Sequence, residues 1–190
     1  LRKIIMSSSP HTVLPWRVRR TRLPLLSLPC LSCPSPSATA GAGRFRVNAN
    51  GKLLHVWLLV RCVSCDRTRK LAVHARAPVG SFDPDTLHGY HVNDPALVAS
   101  TLLDPLFARR NRFTLDWADA WRLDAPPVPL DGQWPVRVEV AFADPVPVRP
   151  DWLIAHGLGL SRNEVLRRVK CDIPPRRPTS AGFTFTLMAG

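Results

Sequence analysis

Along Val136, Val138, Val140 and Phe142 apolar residues alternate with Arg137, Glu139 and Ala141, the period of a strand with one buried face. A second extended pattern lies further upstream. Arg44–Val47 runs into Asn50-Gly51, and Leu53–Arg61 returns rich in Leu, Val and Trp. This predicts a hairpin whose two turn residues, Asn50 and Gly51, both take positive φ, with Leu71–Val73 as a third strand. Helical signals follow. Asp94 reads as a cap with Pro95 at the first helical position, where its missing N–H costs nothing. That helix runs through Leu103, and Pro105 restarts or kinks it toward Arg109. Near the end, Asp151–His156 predicts a short helix stopped by Gly157. Ser161 and Glu164 then form a capping box that starts a second helix running to about Lys170, with Val165, Leu166 and Val169 on its buried face. Proline-rich loops at 126–129 and 145–150 separate these elements, and no internal repeat is visible.

The hairpin is flanked by Cys30-x-x-Cys33 and Cys62-x-x-Cys65. Two such pairs, brought together by the strands between them, are the arrangement in which four thiolates close a tetrahedral shell around zinc. Residues 26–77 therefore read as a zinc ribbon, with Cys171 left free. A thioredoxin-like redox pair needs a βαβ setting and normally one Cys-x-x-Cys. A secreted disulfide framework is usually a short, cysteine-dense chain, whereas this one has 190 residues and five cysteines. Four thiolates leave no open position for water, so the expected role is structural, replacing a core that a ribbon of roughly 50 residues cannot build for itself.

No apolar run approaches the roughly 18 residues of a membrane span. Arg19–Cys30 resembles a targeting signal superficially, but two prolines interrupt its short apolar centre, and lipid on Cys30 would break the zinc set. Reduced thiols without an export signal predict a cytoplasmic protein. Met6 reads as a plausible true start, and residues 1–25 as a disordered basic lead.

Charge is unevenly distributed. Residues 1–76 hold 14 Lys/Arg and one acid, residues 77–150 hold 6 and 10, and residues 151–190 hold 6 and 3. A basic amino-terminal third favours RNA or another polyanion as partner. Two blander explanations stand beside it. Arg61, Arg67, Arg69 and Lys70 would offset the roughly −2 charge of a tetrathiolate zinc, and the preponderance of arginine is also what a codon bias gives.

The remaining chemistry is thin. Asp83, Asp85, His88, His91 and Asp94 fall within twelve residues, but without a recognised spacing, and a solvated loop is the favoured reading. His11, His55, His74 and His156 are isolated. Gly-x-Ser-x-Gly, phosphate-binding glycine loops and dinucleotide fingerprints are absent. On the last predicted helix, Arg167 falls opposite the apolar face with Arg168 and Lys170 on its flanks, and Arg162 sits in the first turn, where free N–H groups favour an anion. The same pattern also suits a helical hairpin with a solvated basic face.

The segment Leu158-Gly-Leu-Ser-Arg-Asn-Glu-Val-Leu-Arg-Arg-Val169 resembles the RNA-binding module named after ribosomal small-subunit protein four, in which a Ser-Arg pair and a basic helix lead to a glycine and a strand. Lys170-Cys171-Asp172 stands where that glycine is expected. Over most of its length the chain resembles the bacterial family domain of unknown function 1062, on Arg44-Phe-Arg-Val-Asn-Ala-Asn-Gly-Lys-Leu-Leu-His-Val-Trp-Leu58 between the cysteine pairs and on the later Gly-Leu-Ser-Arg element. That resemblance implies a cytoplasmic zinc-ribbon protein and no particular activity. Arg69 departs from it, where an aromatic residue is expected.

The expected architecture is α+β: a basic lead at 1–25, an antiparallel zinc ribbon at 26–77, a mixed α/β linking region at 78–149 and a helical hairpin plus strand at 150–190. The first functional expectation is a non-enzymatic protein holding RNA phosphates with Arg162, Arg167, Arg168 and Lys170, and zinc with Cys30, Cys33, Cys62 and Cys65. The second is a protein-interaction adaptor, and the third an enzyme using the Asp/His segment. No membrane partner is expected.

Overall fold

The computed structural model describes residues 13–128 and 134–188. They sort into two compact units, one made of Arg22–Ala120 and the other of the described residues of Leu1–Thr21 and Trp121–Gly190. The chain opens with β1 (Val13–Arg20), which belongs to the discontinuous unit. It then builds the continuous unit from β2 (Leu25–Ser27), β3 (Ser37–Asn50), β4 (Leu53–Cys62), β5 (Thr68–Pro78), α1 (Pro84–Val92), α2 (Pro95–Leu103), α3 (Pro105–Asn111) and β6 (Thr114–Asp116).

In the continuous unit five antiparallel strands lie in the order β5-β4-β3-β2-β6. Alternation along β4 decides the buried face: Leu54, Val56, Leu58 and Val60 are buried, whereas Leu53, His55, Trp57 and Leu59 are half-buried. The three helices supply Tyr90, Val98, Leu102 and Phe107 to the same core, and Tyr90 meets Phe45 of β3 edge to face at 4.9 Å. Each helix starts in the same way. Asp83, Asp94 and Asp104 accept from the backbone N–H of Thr86, Leu97 and Leu106, with proline in the first turn. A register shift between Thr39 and Arg44 bends β3, and Gly43 at φ 75° lets Val98 pack so close that a Cβ there would overlap it.

The discontinuous unit continues with β7 (Trp121–Asp124), β8 (Val136–Phe142), α4 (Pro150–Leu158), α5 (Arg162–Arg168), β9 (Val169–Cys171) and β10 (Phe183–Leu187). Its sheet has the order β7-β1-β8-β10-β9, with β1 parallel to β8 and the other pairs antiparallel. Trp16, Val18, Val138, Leu153, Ile154 and Phe185 are buried in it. Asp151, 2% exposed, is held by Arg149 through bonds of 3.1 and 2.6 Å.

The α+β class holds, with differences in detail. Residues 13–20 are a strand rather than part of a disordered lead, because β8 gives them a parallel partner. The ribbon strands share one core with α1–α3, so the units divide at Thr21/Arg22 and Ala120/Trp121 and not near 77 and 149. The hairpin turn is Gly51-Lys52, closed by the Asn50–Leu53 pair, and only its first residue has positive φ (58°). The Asp/His segment is a helix and its caps rather than a loop. Gly157 lies inside α4, which ends at Gly159 in the left-handed region (φ 65°). Helix α5 stops at Arg168, where Val169–Cys171 pairs with β10, and Leu166 is exposed instead of buried. The expectations for Met6 and His11 lie outside the described residues.

Candidate metal centre

Each cysteine pair occupies a turn between sheet neighbours. Cys30 and Cys33 lie between β2 and β3, while Cys62 ends β4 and Cys65 precedes β5. The ladder pairs Ala38 with Cys62, and Val63 N–H donates to the Ser37 carbonyl at 3.2 Å, so both turns meet at one end of the sheet. The first turn is closed by Leu28 N–H to the Pro36 carbonyl and Cys30 N–H to the Ser35 carbonyl, both 2.9 Å. The second is closed by Cys62 N–H to the Arg67 carbonyl at 3.0 Å, with Asp66 at φ 58°.

The four sulfurs lie within 4.8 Å of one another. Cys30 and Cys65 are 3.6 Å apart and Cys33 and Cys62 are 3.5 Å apart, across the two turns, and all are free thiols. Thiolates about 2.3 Å from a tetrahedral metal ion stand roughly 3.8 Å from each other, so the set fits such an ion. Backbone donors favour the ionised form. Ser32 N–H reaches Cys30 Sγ and Ser64 N–H reaches Cys62 Sγ, each at 3.4 Å. The Ser32 donor leads in lowering Cys30, and the Cys65 and Ser64 amides bring Cys62 down to about 6. Cys33 gains a Ser35 amide bond that lowers it, but desolvation and the neighbouring sulfurs push it up to about 12. The metal-free set therefore keeps a proton that a bound cation would displace.

Basic residues surround this end of the sheet. Arg67 and Arg69 line a small cavity of about 70 Å³ together with Cys30, Cys62 and Leu28. Arg69 donates to the Pro29 carbonyl at 3.4 Å, placing its chain at the position where an aromatic ring is expected. Arg61 pairs with Asp66 at 3.2 Å.

Among the described residues, the cysteines are the one group of three or more His, Cys, Asp or Glu side chains that converges as a metal site. The Asp/His segment does not. Asp83 is occupied as a cap by Thr86 N–H (2.8 Å) and Thr86 Oγ1 (2.6 Å), and Asp94 by Leu97 N–H (2.8 Å). Cys171 is half-buried in β9, and burial, with Asp172 and Asp151 nearby, pushes its thiol up to about 11.

In the discontinuous unit the capping box is complete. Glu164 N–H donates to Ser161 Oγ at 3.2 Å, and Ser161 N–H donates to Glu164 Oε2 at 2.9 Å. Glu164 thus brings its own negative charge to the first turn of a seven-residue helix, and the expected anion site beside Arg162 is already served. Arg162, Arg167 and Lys170 are exposed, Lys170 on β9 rather than on the helix. Arg168 is half-buried, with its Nε enclosed and unbonded. Where a glycine is expected, the chain continues as strand through Cys171, and Asp172 accepts from Thr184 N–H at 3.0 Å. No helix among the described residues is long and apolar enough to cross a membrane.

Fold and thiol cluster together define an α+β protein with a four-cysteine, metal-type centre at the end of a sheet. The chain belongs to the family of proteins of unknown function DUF1062, whose model matches residues 47–173. That match includes Cys62 and Cys65 and begins after Cys30 and Cys33. No curated protein and no solved structure matches the chain.

Proposed function

We propose that this chain is a non-enzymatic, cytoplasmic RNA-binding protein with one structural zinc ion. Zinc is the metal chosen by four thiolates at tetrahedral spacing, since soft sulfur ligands and a closed shell suit it and leave no position for catalysis. The observation that carries RNA binding is the exposed run of Arg162, Arg167 and Lys170 along α5 and β9, fixed by the Ser161–Glu164 box and similar in order to the ribosomal protein four module. These cations meet phosphate and do not read bases. Half-buried Arg168 acts mainly through packing.

The test is affinity for an RNA hairpin against salt, for wild type and for Arg167→Ala/Lys170→Ala. The double variant binds more weakly across unrelated sequences, and its salt slope falls by about 0.7–0.9 for each phosphate it no longer neutralises. Equal binding by the variant removes this surface from the reading. The adaptor reading has one observation of its own: Leu31 and Val63, at the tips of the two cysteine turns, are 83% and 49% exposed. A protein interface formed there is insensitive to salt, which separates the two.

A further inference from the structure

The face of the β3–β4–β5 sheet opposite its helices carries a second constellation, remote in sequence from α5. Register puts Arg46 directly across from Trp57, Arg44 across from Leu59 and Asn48 across from His55. On the other side of β4, Ala72 faces Trp57 and Lys70 faces Leu59. His55 and Trp57, two residues apart on one strand, lie nearly parallel at 12° with ring centroids 5.5 Å apart. The Lys70 ammonium sits 5.5 Å from the Trp57 ring centre. Arg44, Arg46 and Lys70 are exposed, and among the described residues none of them has an ion-pair partner.

A soluble sheet that turns one face to water usually clothes it in mixed charges and small polar residues. Here Arg44, Arg46 and Lys70 stand around a stacked aromatic pair, with Asn48, Leu59 and Ala72 between them. Asp66, at the rim, is paired with Arg61, and together they line a groove of about 450 Å³ with Arg44, Leu59 and Thr68. Unpaired guanidinium and ammonium groups select a polyanion. Stacked, nearly parallel indole and imidazole rings select something with flat faces of its own. A polyanion with exposed flat faces is a single-stranded nucleic acid, since a duplex hides its bases in the stack.

We propose that this face binds single-stranded RNA, with bases stacking on Trp57 and His55 and phosphates held by Arg44, Arg46 and Lys70. The Lys70 ammonium covers the Trp57 ring in the free protein. On binding, a base takes that place and the flexible lysine chain swings to a phosphate, so a cation–π interaction is exchanged for an ion pair. The proposal rests on the polynucleotide reading above and adds to it a separate site and a strandedness preference.

The experiment uses the full chain and three probes: a short uridine oligonucleotide, an abasic ribose-phosphate chain of the same length, and the RNA hairpin. Trp57→Ala should weaken the uridine oligonucleotide by about 5- to 100-fold while leaving the hairpin unchanged, and Trp57→Phe should retain most of the affinity. Arg46→Ala/Lys70→Ala should lower the salt slope for the oligonucleotide by about 0.7 for each phosphate released. The fold loss that Trp57→Ala causes with the oligonucleotide should be the same in an Arg167→Ala/Lys170→Ala background, as two separate sites require. Equal affinity of the abasic chain, equal affinity of a folded Trp57→Ala variant, or displacement by polyglutamate as readily as by RNA overturns the proposal. Hairpin binding without oligonucleotide binding removes this site alone, whereas failure of both probes removes the RNA reading as well.

Discussion

Cys33 Sγ and Cys62 Sγ stand 3.5 Å apart although 29 residues separate them along the chain. What closes that distance is the β3–β4 ladder, which sets Ala38 against Cys62 and so turns two local cysteine turns into one cluster.

Zinc content near one equivalent per chain is the first expected outcome, and Cys62→Ser should lose most of it. His88→Ala and His91→Ala should leave it unchanged, since neither side chain joins a converging ligand group. Elemental analysis after dialysis measures both. Because the sheet shares a helix-covered core, chelation should loosen residues 28–37 and 62–68 rather than unfold the whole unit. Hydrogen exchange that spreads at once over α1–α3 would contradict this.

Asn111 closes the β5 edge. Its Oδ1 accepts from Ala72 N–H at 2.9 Å, and its Nδ2 donates to the Ala72 carbonyl at 3.2 Å and the Phe107 carbonyl at 3.0 Å. One side chain thus does for the edge what another strand would do. Asn111→Ala should cost about 1–3 kcal/mol in denaturant unfolding, by leaving half-buried backbone groups unpaired.

His74 shares a 2.9 Å hydrogen bond with Tyr90 Oη, and burial, helped by Arg110, lowers its pKa. The unfolded chain then binds a proton more readily than the folded one near pH 6. Stability from this group is present above about 6.5 and is lost as pH falls from there toward the lowered folded value. Melting temperature followed through that window should show the step in wild type and lack it in His74→Gln.

Gly157→Ala tests the packing of α4. A Cβ at this position would overlap the Trp16 ring and meet Leu123 Cδ2 at 2.8 Å, and Trp16 is 1% exposed. The substitution should destabilise the discontinuous unit by about 1–3 kcal/mol, although alanine ordinarily improves a helix.

Local chemistry was legible without the fold. The Asp94-Pro95 start of α2, the restart at Pro105, the Ser161–Glu164 box, the alternation of Val136–Phe142 and the two cysteine pairs each depend on residues within one or two turns of one another, so their spacing alone determines them. Element ends were less legible. Gly157 reads as a helix stop but serves to let Trp16 approach, and α5 stops early because β10 offers Val169–Cys171 a ladder. Only the tertiary structure decided that Val13–Arg20 is a strand, since its partner β8 lies over a hundred residues away, and that the ribbon shares a core with three helices. The aromatic and basic face around Trp57 belongs to the same class. Arg46, Trp57 and Lys70 come from three strands, and nothing in their sequence spacing indicates that strand register will set them side by side.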